Sequence, residues 1–106
     1  MGTLAGWSGL DPRDRAVILG LLKPVACRHG AQLRLFGSRA RGDARPQSDI
    51  DVALCSGSPL PLDELAALRE ALEESSIPFR VDLVDLARAA PALRQAIERE
   101  GVAWTD

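Results

Sequence analysis

Two aspartates, Asp49 and Asp51, stand two positions apart in the middle of this 106-residue chain, followed by apolar residues. Alternate side chains of a strand share a face, so a strand here would place both carboxylates side by side. Neighbouring carboxylates repel each other, and a divalent cation that prefers oxygen ligands removes that repulsion. The spacing therefore favours magnesium, and a pair of ions about 3.5–4 Å apart is the arrangement that phosphoryl transfer uses.

A third carboxylate, Asp82, lies in a second apolar segment at 78–86. Its neighbours Val81 and Leu83 would face the core, which leaves Asp82 on the opposite face. If this strand lies beside the first one, Asp82 completes a triad of acidic ligands. Asp85 is the competing candidate, but its position at the end of the strand favours the N-cap of a following helix.

The residues ahead of the aspartate pair, Gly37 and Ser38, indicate a tight turn that follows a strand. Glycine lets the backbone approach a phosphate closely, and Ser38 offers both an N–H group and a hydroxyl. Arg39 or Arg41 could neutralise phosphate charge with a planar guanidinium, and we favour Arg39. Arg45 lies in the same loop, but its position in the sequence does not indicate a role.

Apolar periodicity and turn residues predict how these positions are held. A first helix is expected from Asp11-Pro12 to His29, with Pro24 kinking or dividing it. Two more helices are expected, one over 62–72 and one from Pro91 to Gly101. Strands are predicted at 31–36, 49–54 and 79–84, with a short edge strand at 102–104 and a loop at 37–47 that could hold one helical turn. This alternation indicates an α/β or α+β domain with a mixed sheet.

The segment GSRARGDARPQSDIDVAL carries a more specific pattern: Gly37-Ser38, ten residues, and then Asp49-Ile50-Asp51. It resembles the GS-x10-DxD signature of the DNA polymerase β-like nucleotidyltransferase superfamily, and in particular its minimal (MNT) branch. The similarity runs over about 17–102, and the branch also carries an aspartate on a later strand, in a context like that of Asp82.

This resemblance implies a nucleotidyltransferase palm, with a small mixed sheet and helices mainly on one face. It implies that Gly37 and Ser38 bind the triphosphate and that Asp49 and Asp51 bind two magnesium ions. Asp82 would ligate the catalytic ion and help to deprotonate the attacking hydroxyl. MNT proteins often occur beside a HEPN-domain toxin, to which they transfer AMP from ATP as its antitoxin. The resemblance therefore implies a HEPN-domain protein as partner and acceptor.

Two other functions remain open on the sequence. The chain could be a catalytically silent antitoxin that acts by binding alone, or a nucleotidyltransferase for a small molecule or an RNA end. Its formal net charge of −2 excludes a broad nucleic-acid-binding surface. The 106 residues contain no tyrosine, so a tyrosine acceptor must belong to another molecule.

Length and composition indicate one domain over residues 1–106, with residues 1–10 as a flexible or partner-contacting segment. The first residues lack the pattern of a signal peptide, and no apolar run approaches the roughly 20 residues of a membrane span. Cys27 and Cys55 are expected to be buried, unpaired thiols. These features predict a cytoplasmic protein without a membrane anchor.

Overall fold

The computed structural model describes residues 10–42 and 48–104; most of the predicted N-terminal segment, residues 1–9, and Arg45 lie outside them. The helices are α1 (Pro12–Arg28), α2 (Ser38–Arg41), α3 (Leu62–Glu74) and α4 (Pro91–Glu100), with a 3-10 turn at Leu86–Arg88. The strands are β1 (Gln32–Phe36), β2 (Ile50–Cys55), β3 (Val81–Asp85) and β4 (Val102–Ala103). None of the helices in the described ranges is both long and apolar enough to cross a membrane.

The four strands form one mixed sheet in the order β3-β2-β1-β4. The central strand β1 is antiparallel to both of its neighbours, whereas β2 and β3 are parallel. A parallel pair needs a crossover connection, which α3 provides between β2 and β3. The predicted mixed sheet is confirmed, and β3 is an edge strand.

One face of the sheet carries the hydrophobic core. Alternate strand residues such as Leu35 and Val52 are fully buried, and they cluster with Ile18 and Leu22 of α1 and Leu65 of α3. Because strand side chains alternate between faces, the residues between these core positions point to the opposite face of the sheet. The two long helices therefore cover one face, as predicted, and Asp51 points to the other face.

Helix α1 begins as predicted, because the side chain of Asp11 accepts a hydrogen bond from the Arg13 amide at 2.8 Å. The expectation that Pro24 could divide this helix is wrong, since α1 runs continuously through it. An internal proline removes one backbone hydrogen bond. Leu22 and Ala26, on either side of Pro24, are both buried against the core, and this packing holds the helix together.

The cysteines differ from the prediction in burial but not in pairing. Both are free thiols, and Cys55, at the end of β2, is half-buried. Cys27 is exposed, so the expectation of a buried thiol is wrong for this residue. The adjacent Ala26 occupies the core-facing position of that helical turn, which leaves Cys27 turned towards solvent.

Candidate active site

Two of the predicted acidic ligands, Asp51 and Asp82, are direct neighbours in the sheet. Each is the second residue of its strand, and the parallel register of β2 and β3 pairs them with each other. Neighbouring strands lie about 4.8 Å apart, and paired residues point to the same face. Asp51 is half-buried, and the Asp82 side chain is 50% exposed. The condition on which the triad depended, that the two strands be neighbours, is therefore met.

The charges of the other two aspartates, Asp49 and Asp82, act on Asp51. Burial raises the pKa of Asp51 above its ordinary value, and the charges of Asp82 and Asp49 raise it further. Arg41 and Arg80 act in the opposite direction and lower the pKa of Asp51. Asp49 itself is exposed and precedes β2, which begins at Ile50, one residue later than predicted. The result is a local excess of negative charge at the start of β2 and β3.

A divalent cation suits the chemistry of this cluster. Within residues 10–42 and 48–104, no three His, Cys, Asp or Glu side chains are grouped closely enough to form a ready-made metal cage. The donors are nevertheless carboxylate oxygens, which magnesium prefers. Burial is the largest cause of the raised pKa of Asp51, and a cation would offset the second cause, the repulsion by Asp82 and Asp49. The assignment of Asp49, Asp51 and Asp82 as metal ligands therefore stays a prediction, and the exposed Asp49 would have to turn towards the other two.

Gly37 packs directly against the carboxylate of Asp51. Its backbone angles, φ 76° and ψ −157°, lie in a region that is essentially restricted to glycine. A Cβ atom at this position would stand 2.3 Å from Oδ2 of Asp51, well inside van der Waals contact. Phe36, the residue before Gly37, also pairs with Asp51 in the antiparallel register of β1 and β2. The predicted phosphate-binding turn and the acidic cluster are therefore in contact.

Ser38 begins the single helical turn that the sequence allowed for this loop. Helix α2 is four residues long, and the Gly37 carbonyl accepts hydrogen bonds from the amides of Ala40 and Arg41 at 3.1 and 3.0 Å. Ser38 is half-buried and lies one residue from the contact between Gly37 and Asp51. Its placement is compatible with the predicted phosphate contact.

The side chain of Arg39 is buried, whereas a side chain that binds phosphate has to be accessible. The residue is 4% exposed, and its guanidinium donates hydrogen bonds to the Ser48 carbonyl from Nε at 3.3 Å and from Nη2 at 3.0 Å. The same guanidinium stands over the Phe79 ring, 5.1 Å from its centroid. This burial disfavours a direct contact between Arg39 and a triphosphate. Because Ser48 immediately precedes Asp49, Arg39 instead positions the chain that enters the acidic cluster.

Two exposed arginines, Arg41 and Arg80, act on the charge of Asp51. Arg41, the predicted alternative, forms an ion pair with Glu100 at 3.3 Å. Arg80 lies 4.0 Å from the Asp82 carboxylate, and its side chain is 74% exposed. Sequence reasoning missed Arg80, although its position two residues before Asp82 places both on one face of an extended segment.

Asp85 is separate from this cluster, as the sequence predicted. The residue is 3% exposed, and its carboxylate accepts hydrogen bonds from the amides of Leu60 at 2.8 Å and Ala87 at 3.2 Å. Arg88 adds an ion pair at 3.4 Å. The predicted N-cap is confirmed, and the bond to Leu60 also ties the end of β3 to the segment before α3.

Comparison with known proteins identifies the family. The model of the family described as Polymerase beta, Nucleotidyltransferase matches residues 31–104, which include all four strands and the three aspartates. The chain belongs to this nucleotidyltransferase family. The resemblance inferred from the GS-x10-DxD pattern is confirmed.

Other members of the nucleotidyltransferase family resemble this chain over most of its length. The probable protein adenylyltransferase MntA of Haemophilus influenzae is 42% identical over 64 residues, which are 60% of this chain and 56% of MntA. A toxin–antitoxin structure with AMP-PNP matches with a TM-score of 0.66 and 30% identity, covering 87% of this chain and 73% of that one. A structure described as a minimal nucleotidyltransferase matches with a TM-score of 0.62 and 39% identity, covering 83% and 89%. The chain thus spans little more than half the length of MntA.

Proposed function

We propose that this nucleotidyltransferase transfers AMP from ATP to a hydroxyl of a HEPN-type toxin and thereby acts as its antitoxin in the cytoplasm. The observation that carries the proposal is the pairing of Asp51 with Asp82 in the sheet, with Gly37 packed on the Asp51 carboxylate. The name of the relative MntA and the likeness to a toxin–antitoxin structure with AMP-PNP support the choice of nucleotide and partner.

The triphosphate would bind at the turn between β1 and α2. Gly37 has no side chain to keep a phosphate away, and the Ser38 amide and hydroxyl are the donors nearest to it along the chain. The guanidinium of Arg41 is close enough to lower the pKa of Asp51, and its side chain is 48% exposed. We therefore assign to Arg41 the phosphate contact for which the sequence favoured Arg39.

Asp49, Asp51 and Asp82 would hold two magnesium ions, which neutralise triphosphate charge and acidify the attacking hydroxyl. Asp82 is half exposed, so a hydroxyl from another protein can reach it. In the reaction, Asp82 accepts the hydroxyl proton, and the acceptor oxygen forms a bond to the α-phosphorus. The bond from that phosphorus to the oxygen bridging the α- and β-phosphates breaks, and pyrophosphate leaves. The acceptor gains AMP.

The test uses a HEPN-type toxin as the acceptor, with α-labelled ATP and magnesium. We expect label and an added AMP mass on the toxin, and neither on this chain. Asp51→Asn should abolish transfer, whereas Asp63→Asn, at an exposed position on α3, should leave it unchanged. Magnesium with AMP-PNP should raise the melting temperature of the wild type, and much less that of Asp51→Asn, because only ligands that bind the folded state stabilise it.

The same experiment separates transfer from inhibition by contact. A toxin that stays unlabelled, and is neutralised equally well by the wild type and by Asp51→Asn, would refute the enzymatic proposal in favour of a binding antitoxin. Label on a small molecule or an RNA end, with none on the toxin, would instead identify a different acceptor. The net charge of −2 disfavours RNA, because a nucleic-acid backbone requires positive charge on its partner.

A further inference from the structure

A groove of about 460 Å³ runs along the outer edge of the sheet, between β3 and the second half of α3. We name it the β3 groove. Asp82, the proposed acceptor of the hydroxyl proton, is one of its lining residues. An acceptor segment lying in this groove would therefore reach the acidic cluster without entering the core of the domain.

The backbone of β3 gives the groove a hydrogen-bonding edge. The amide of Ile50 donates to the Arg80 carbonyl at 2.9 Å, which fixes the parallel hydrogen-bonding pattern of β2 and β3. In this pattern the even-numbered residues of β3 bond to β2, and Val81 and Leu83 direct their N–H and C=O groups outward. The Leu83 carbonyl accepts a hydrogen bond from Arg69 of α3 at 2.9 Å. This leaves the outward N–H and C=O of Val81 and the N–H of Leu83 to pair with an extended segment of another protein.

The side chains of the groove combine an apolar floor with a charged rim. Ile77, Phe79 and Val81 are half-buried lining residues. Arg69 and Arg80 are exposed at the rim, and two carboxylates, Glu73 and Asp82, also line the groove. If Asp82 ligates the proposed cation, Arg69 and Arg80 would outnumber the one remaining lining carboxylate, Glu73. Arginine at such a rim favours a carboxylate on the partner.

From this arrangement we propose that the β3 groove binds an extended, acidic segment of the acceptor protein. The segment adds as a strand to the edge of β3, places an apolar side chain on the floor beside Phe79, and sets a carboxylate against Arg80. Its hydroxyl-bearing residue then lies at the Asp82 end of the groove. This inference rests on the proposed function, and it names the surface that selects the acceptor.

Two substitutions test the two recognition elements separately. Val81→Pro removes an outward-facing N–H that forms no bond to β2, and proline is tolerated at such edge positions. Arg80→Glu reverses the charge at the rim. Arg99→Glu is the matched control, since Arg99 is also exposed, at 68%, and lies on α4 outside the groove. Melting shifts with magnesium and AMP-PNP report whether each variant keeps an intact nucleotide site.

The measurement is the dissociation constant of each variant for the HEPN-type toxin that serves as the acceptor, by titration in magnesium and AMP-PNP. Val81→Pro and Arg80→Glu should each weaken binding about tenfold, the effect of losing one or two hydrogen bonds or an ion pair, while Arg99→Glu binds like the wild type. Unchanged affinity in both groove variants would overturn the proposal, and a loss with Arg80→Glu alone would overturn the strand addition. Tight binding without transfer by the wild type would count against the proposed reaction and not against the groove.

Discussion

The contact between Gly37 and Asp51 gives the sharpest test of the site. In Gly37→Ala the new Cβ would stand 2.3 Å from Oδ2 of Asp51 and 3.1 Å from Cγ. Ordinary contact begins near 3.4 Å, so the carboxylate would have to retreat by about 1 Å. A displacement of about 1 Å at a reacting centre can cost about 100-fold in rate. We therefore expect transfer of AMP to fall about 100-fold.

Stability will also fall in this variant, and a control must separate the two effects. The positive φ of Gly37 alone makes alanine unfavourable by about 1–3 kcal/mol. Gly42 has a similar φ of 83°, and within residues 10–42 and 48–104 no atom beyond its chain neighbours and its own helix lies within 4 Å of the Cβ that alanine would add there. Gly42→Ala should therefore lose about 1–2 kcal/mol of stability and keep its activity.

The assay compares both variants with the wild type at a temperature where all three are folded. Urea unfolding gives the loss of stability, and the initial rate of label transfer to the toxin gives activity. Equal activity of Gly37→Ala and Gly42→Ala would refute the role that we assign to the contact with Asp51. A Gly37→Ala protein that regains activity at high magnesium would instead show that the displaced carboxylate acts as a metal ligand.

Three further predictions concern residues around the cluster. The pKa of Asp51 is raised in the folded state, so its ionised form destabilises the fold above that pKa. Without magnesium, Asp51→Asn should therefore have a higher melting temperature than the wild type near pH 7. This difference in melting temperature should disappear as the pH falls towards the ordinary pKa of 3.8. Asp85→Ala leaves the Leu60 amide without its acceptor, and urea unfolding should show a loss of about 2–3 kcal/mol with transfer retained. Arg41→Gln should raise the KM for ATP about tenfold at unchanged stability, whereas Arg39→Lys should lower kcat and stability with little change in that KM.

Much of this architecture could be predicted because its signals are local. Apolar alternation located β1, β2 and β3 within one or two residues, and Asp11-Pro12 marked the start of α1. The resemblance to the GS-x10-DxD signature indicated that Gly37 and Asp51 share a site. The separation of Asp82 from Asp85 followed from the alternation of faces and the end of a strand. Apart from that resemblance, each of these inferences needs only the geometry of one element.

The features that escaped prediction depend on contacts between distant segments. Arg39 is next to Ser38 in a polar loop, and nothing local indicates that its guanidinium would be buried against Phe79, which is 40 positions away. The continuity of α1 through Pro24 depends on core packing on both sides of the proline. Arg80 gains its place beside Asp51 only through the pairing of β2 with β3. Tertiary packing decides such cases, and a sequence pattern does not record it.

The three arginines of the site differ in burial. Arg39 is buried and held in place, whereas Arg41 and Arg80 are exposed and can change partners. Arg39 donates a hydrogen bond to the Ser48 carbonyl and stacks on the Phe79 ring. Moving its guanidinium away would break this part-buried hydrogen bond and lower the stability of the fold. Arg41 and Arg80 form exposed ion pairs with Glu100 and Asp82, and pairs of this kind contribute about 0–1 kcal/mol. Exchanging such a carboxylate for a phosphate therefore costs little. In the proposed reaction, Arg41 and Arg80 can thus partly neutralise nearby carboxylates before ATP binds and then turn from these partners to the triphosphate.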